Sequence, residues 1–225
     1  MIDSLAKPKL WGRRKGRPLH SHRLSLMDDL LPKLEIPVPS AGGLLPCSLF
    51  APSPQTVWLE IGFGGGEHLA AQAALHPTYG FIGCEPFVNG VASFLKHVEA
   101  QALTNVRVFP NDARLIMDAM PDACLDLCFV LFADPWPKKR HQDRRFIGPE
   151  NLPRLARVLK PGAELRLATD VPVLEAWMRA HANASADFEA LHDSSTPPAD
   201  WIPTRYEEKG RAAGREPVYF IYRRK

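Results

Sequence analysis

The sequence predicts an α/β protein, a mostly parallel sheet with helices on both faces. Three observations lead there. From Val57 onward, short apolar runs alternate with helix-length amphipathic runs, the pattern of repeated β-α units. A glycine-rich turn, Gly62-Phe63-Gly64-Gly65-Gly66, follows the first apolar run directly. Acidic residues stand at the ends of successive apolar runs, where open α/β sheets bind ligands. At 225 residues, with 45% hydrophobic and 24% charged residues, the chain can bury one sizeable core and needs no second one.

The elements follow in order. Residues 1–45 are rich in Pro, Gly and basic residues and are expected to be mostly irregular, a basic and partly flexible arm, with one apolar patch at 24–34. Residues 46–225 are expected to form the single folded α/β domain. Strands are expected at 57–61, 79–84, 106–109, 125–132, 164–168, 188–191 and 218–222, seven in all. Helices are expected at 67–75, 88–103, 114–120, 152–159 and 173–184. The second of these carries Val91, Leu95 and Val98 on one face, and the fourth stops at Pro161-Gly162.

Charge is localised. Residues 1–24 hold seven Lys/Arg and one acid, so the remainder is mildly acidic. A second basic cluster, residues 138–145, has five Lys/Arg and one acid. Local basic segments on a near-neutral body are the footprint of a polyanion-binding surface. No apolar run approaches the ~20 residues that span a bilayer, and the basic start lacks the apolar core of a signal peptide, so a cytoplasmic location is expected. The four cysteines and eight histidines show no zinc spacing and no HExxH arrangement, so no metal is expected and the thiols should be reduced.

The glycine turn discriminates between cofactors. A dinucleotide fingerprint needs glycine at positions 62, 64 and 67, but the third position is Glu67. Glu60 precedes the turn, and Gly62, Gly64 and Gly66 form it. A carboxylate at a helix amino terminus repels a pyrophosphate and tolerates a cation. That favours S-adenosyl-L-methionine, which carries an ammonium and a sulfonium. Glu85, 23 residues after Gly62, is near the spacing at which an acid accepts from ribose hydroxyls. Asn111 and Asp112 follow the third strand, where an adenine amino group could donate.

The densest chemistry lies in Asp134-Pro135-Trp136-Pro137-Lys138-Lys139-Arg140-His141, at the end of the fourth strand. Two prolines predict a stiff, extended turn around Asp134 and Trp136. A carboxylate, an aromatic and a run of cations together suit chemistry on a nucleic-acid base. Lys138, Lys139, Arg140, His141, Arg144 and Arg145, with the arm from Lys9 to Arg23, are expected to face RNA, the cations holding phosphates.

These residues, with Thr169-Asp170 and Thr204-Arg205-Tyr206-Glu207, resemble the bacterial single-subunit tRNA (guanine-N7)-methyltransferases over roughly residues 57–210. The resemblance implies a seven-stranded Rossmann-like class I methyltransferase fold and methylation of a guanine in the tRNA variable loop. Carried over, it implies that Glu60, Glu85, Asp112 and Asp134 line the cofactor site and that Asp134 is also the catalytic acid. Lys138, Asp170, Thr204, Arg205, Tyr206 and Glu207 would contact substrate. Ala133 replaces a usual proline, and Arg205-Tyr206 replace the more frequent Lys-Phe.

Guanine N7 already presents an in-plane lone pair, so no proton need be removed before attack. Positioning then dominates, and oriented reactants gain roughly 7–11 kcal/mol. Asp134 would stabilise charge developing on the purine, Asp170 would accept from the guanine edge, and Trp136 or Tyr206 would stack on the base. Three rival readings fit these residues less well. An exocyclic-amino adenine methyltransferase has its aromatic after two adjacent prolines, not between them. A silent RNA-binding scaffold would not need every acid present here. An NAD-dependent oxidoreductase would need the glycine that Glu67 replaces. Monomer and homodimer are both compatible with the sequence.

Overall fold

The computed structural model describes residues 10–39 and 43–225. Lys9, the first residue of the arm expected to hold phosphates, lies outside the described residues. Seven strands form one sheet: β1 (Val57–Ile61), β2 (Gly80–Cys84), β3 (Val106–Phe109), β4 (Leu125–Leu131), β5 (Leu159–Thr169), β6 (Phe188–Ser194) and β7 (Val218–Arg224). Their order is β3-β2-β1-β4-β5-β7-β6, with every pair from β3 to β5 parallel and β7 antiparallel to both β5 and β6. The expected mostly parallel, seven-stranded sheet is therefore present. The order reverses between β1 and β4, and the crevice outside their carboxyl ends is where such sheets bind ligands.

Alternation along the strands feeds two layers. Ile82, Cys84, Cys128, Val130, Leu165 and Leu167 pack on one face with α5 (Ala113–Ala119), α6 (Leu152–Val158) and α7 (Pro172–Ala184). Phe81, Val106 and Val108 pack on the other with α3 (Glu67–Leu75) and α4 (Val88–Gln101). Trp58 seals this face near β4, edge-on to Tyr79, Phe81 and Phe129 with ring centroids 5.4, 5.5 and 5.8 Å away. Cys84 and Cys128 are buried free thiols, whereas Cys47 and Cys124 are half-buried and also free.

Two departures from the sequence reading matter. First, the segment expected to be mostly irregular contains α1 (Ser21–Asp29) and α2 (Leu31–Leu34). Leu26, Leu31 and Leu34 are buried in the cluster that covers α4, and the Ile36 N–H donates to the Val108 carbonyl at 2.8 Å beside β3. The apolar patch at 24–34 is thus a docked helical stripe, whose burial outweighs its local Pro and basic content. Second, α8 (Arg205–Ala212) was not foreseen. Its only buried residues are Glu207 and Gly210, so no apolar period marks it. The readable signal was Thr204-x-x-Glu207, an N-cap pattern: the Thr204 Oγ1 accepts from the Glu207 N–H at 3.0 Å.

Candidate active site

A cavity of about 350 Å³ opens at the switch point. The turn after β1 contributes Gly62 and Gly64, the end of β2 Glu85, the end of β3 Asn111 and Asp112, and the end of β4 Asp134 and Trp136. Tyr206 from α8 and Trp11-Gly12-Arg13 from the arm complete the rim.

The glycine turn needs its glycines. Gly62, Gly64 and Gly66 have φ of +76°, +56° and +80°, the left-handed region. A Cβ on Gly66 would overlap Phe94, and one on Gly90 would overlap the Gly64 carbonyl, so α3 and α4 approach closely enough to bring the turn over β2. Glu85 locks it: its Oε2 accepts from the Gly64 N–H at 2.8 Å and its Oε1 from the Phe87 N–H at 2.9 Å. Burial raises the Glu85 carboxyl above its ordinary value; the two backbone donors pull the other way, and the Asp134 and Glu60 charges add to the rise.

Asp112 does two things. It caps α5, accepting from the Arg114 N–H at 3.0 Å, and it pairs with the Arg114 guanidinium at 2.6 Å while lining the cavity. Asn111 Oδ1 accepts from the Asp112 N–H at 2.9 Å. Asp134 is exposed at the mouth and makes no hydrogen bond or ion pair among the described residues. Its neighbour is Gly12 of the arm, where a Cβ would stand 3.7 Å from Asp134 Oδ2.

The loop carrying Asp134 is not the extended turn the two prolines predict. Phe132 and Trp136 have φ of +51° and +40°. Such residues persist where the surroundings over-determine them, and Arg145 does so here. Its Nε donates to the Pro135 carbonyl at 3.0 Å and its Nη2 to the Trp136 carbonyl at 3.1 Å, while the guanidinium lies 4.8 Å from the Trp177 ring. Arg145 is only 7% exposed, so it is a loop clamp and not the phosphate contact expected. Arg144 lies between two indoles, 4.0 Å from the Trp11 ring and 4.9 Å from the Trp136 ring. Trp136 thus faces Arg144, and His141 stands edge-on to it at 6.0 Å. Lys138, Lys139 and Arg140 are exposed at the start of the short 3₁₀ helix Lys139–Arg144.

Other expected residues sit outside the cavity. Glu60 is buried below the turn, and its Oε2 lies 2.8 Å from His68 Nδ1. Asp170 accepts from Arg215 Nε at 2.7 Å and fills the space beside Gly210, so it faces α8 rather than a guanine edge. Thr204 is occupied as the cap of α8. Glu207 is buried at the hub of a polar network, accepting from Trp201 Nε1 at 2.8 Å, Tyr219 Oη at 2.6 Å and Arg211 Nε at 3.2 Å. These bonds hold α8 against β7 so that Tyr206 reaches Gly64, while Arg205 lies 3.6 Å from Glu67. The sequence reading assigned the arm to RNA phosphates and missed that its tip lines the cavity; it also missed His68. Nothing local marks the arm, which is held by Val88 N–H donating to Arg14 O at 2.9 Å and by Asn89, whose amide accepts from Gly16 and donates to Arg17.

The donor set fits a cationic nucleoside cofactor. Glu85, Asp112 and Asp134 bring carboxylates to one cavity, and Glu67 folds its own over Gly65, where an anion would be repelled. Among the described residues no cluster of His, Cys, Asp and Glu could hold a metal, and no helix is long and apolar enough to cross a membrane.

Comparison with known proteins agrees with this geometry. Residues 54–220 match a family model described as "Putative methyltransferase". A tRNA (guanine-N(7)-)-methyltransferase of Paramagnetospirillum magneticum is 53% identical over 97% of this chain and 94% of its own length. Relatives of the same name from Rhodospirillum rubrum and Caulobacter vibrioides are 46% and 50% identical, covering 96% and 88% of this chain and 88% of each relative. Among solved structures, TrmN from Thermus thermophilus superposes with a TM-score of 0.54 at 18% identity over 76% of this chain and 45% of that one. An rRNA methylase from Streptococcus thermophilus gives 0.52 at 10% identity over 75% and 86%. These two likenesses establish the Rossmann-like class I methyltransferase fold. Matched at 46–53% identity to relatives covered over 88% or more of both partners, the chain belongs to the tRNA (guanine-N(7)-)-methyltransferase family.

Proposed function

We propose that this protein transfers the methyl group of S-adenosyl-L-methionine to N7 of a guanine in the variable loop of tRNA. One observation carries the reading: a carboxylate without a partner among the described residues, Asp134, stands at the cavity mouth on a clamped loop that runs directly into the exposed cations Lys138, Lys139 and Arg140.

The cofactor supplies an electrophilic methyl on a sulfonium. Glu85 accepts from the nucleoside hydroxyls with its remaining lone pairs, and Asn111 and Asp112 face the base. Asp134 orients the guanine and balances the positive charge that grows on the purine as N7 is alkylated. N7 is unprotonated at neutral pH, so the residues orient the base and need not remove a proton before transfer. Lys138, Lys139 and Arg140 hold phosphates and confer affinity without sequence choice. A cytoplasmic location follows from a tRNA substrate.

Incubation with methyl-labelled S-adenosylmethionine and unmodified bulk tRNA, followed by nucleoside analysis, tests this. Labelled 7-methylguanosine is expected. Label in another nucleoside, or tRNA binding without transfer, would overturn it.

A further inference from the structure

Beneath the glycine turn lies a buried polar chain that the proposed function leaves unused. Glu60, His68 and Gln72 are 4%, 4% and 5% exposed. His68 Nδ1 is 2.8 Å from Glu60 Oε2, and His68 Nε2 is 3.2 Å from Gln72 Nε2. The carboxylate accepts, so Nδ1 donates; the amide nitrogen donates, so Nε2 accepts. A neutral imidazole protonated on Nδ1 satisfies both. The ring is held edge-on to Phe129 at 4.8 Å and against Trp201 at 6.2 Å. An apolar side chain of similar volume would fill the site without burying three polar groups, so packing alone does not account for the chain.

Only one oxygen of Glu60 is engaged. Oε1 has no hydrogen bond among the described residues, and no buried side-chain oxygen there lacks a partner, so Oε1 keeps access to the crevice it borders. That crevice is lined by Gly62, Thr204 and Tyr206 as well as His68, and shares Gly62 and Tyr206 with the main cavity. We propose that His68 is a positioning residue, which with Gln72 fixes Glu60 so that Oε1 receives the ammonium of the cofactor's amino-acid end. Glu85 and Asp112 then serve the nucleoside end. The inference rests on S-adenosylmethionine being the cofactor.

Calorimetric titration of the full chain with two probes tests it. S-adenosylhomocysteine retains the ammonium, whereas 5′-methylthioadenosine lacks it. His68→Asn places an amide donor near the Nδ1 position, and His68→Gln carries it to the Nε2 position, leaving Glu60 Oε2 unbonded. Losing a hydrogen bond to a charged group costs roughly tenfold or more. The Gln variant should therefore bind S-adenosylhomocysteine about tenfold more weakly and methylthioadenosine unchanged, while the Asn variant stays within about threefold of the natural protein for both. Equal loss for both probes, unchanged homocysteine affinity in the Gln variant, or the reverse order of the two variants would overturn the role. If the natural protein binds neither probe, the cofactor reading itself fails and takes this inference with it.

Discussion

Replacing Arg145 by alanine separates two accounts of the basic segment. Two hydrogen bonds from a cation to the Pro135 and Trp136 carbonyls would be lost, with the stack on Trp177. Each such bond contributes roughly 1.5–3 kcal/mol when its partner stays dry. These carbonyls lie on a half-buried loop and can be rehydrated, so the lower end applies, about 3 kcal/mol for the pair. The left-handed Trp136, at φ +40°, then loses its restraint, and release of such strain favours a different loop path by about 1–3 kcal/mol. A loop bias near 3 kcal/mol corresponds to a roughly hundredfold smaller population holding Asp134 in place. Single-turnover methylation of tRNA should therefore slow about a hundredfold, with tRNA Kd changed less than about threefold and its salt dependence unchanged. Arg145→Lys should not rescue, because an ammonium lacks the fork that reaches both carbonyls. A weakened Kd with a normal single-turnover rate, restored by Lys, would refute the clamp and return Arg145 to the phosphate face.

Three further outcomes follow from the same geometry. The Lys138→Ala/Lys139→Ala double variant should weaken tRNA binding and reduce the salt slope by roughly 1.4–1.8 while single-turnover rates at saturating tRNA hold, because exposed cations supply affinity alone. Burial holds the Glu85 carboxyl above its ordinary value of 4.5, so it takes up a proton before an ordinary acid as pH falls. Binding of 5′-methylthioadenosine, which needs the charged acceptor, should accordingly weaken from above pH 4.5 downward; affinity constant down to that pH would contradict the assignment. Gly66→Ala combines φ +80° with overlap on Phe94 and should cost about 2 kcal/mol or more, lowering Tm by roughly 4–8 °C in a thermal melt.

What was legible in the sequence depended on whether the signal was local. All seven strands were readable because apolar runs and turn residues mark them, and the strand-end acids could be placed because a parallel sheet sends each carboxyl end to one edge. Glu85, Asn111, Asp112 and Asp134 accordingly meet at one cavity. Helix α8 escaped because it buries a carboxylate and a glycine rather than an apolar stripe. The arm tip escaped because Asn89, more than 70 residues away, holds it. Arg145 looked like its neighbours because a run of cations does not reveal which one turns inward; the fold decides that by setting the Pro135 and Trp136 carbonyls within reach of its guanidinium. Asp170 and Glu207 were carried over by resemblance, and their charges are matched by Arg215 and Arg211 here.

The account turns on Asp134 acting in transfer and not in binding. Single-turnover methylation of saturating tRNA by the Asp134→Ala variant, with tRNA Kd measured on the same preparation, tests this most directly. The predicted result is loss of 7-methylguanosine formation by about a hundredfold or more with Kd within threefold of the natural protein. Normal transfer by the variant would contradict it.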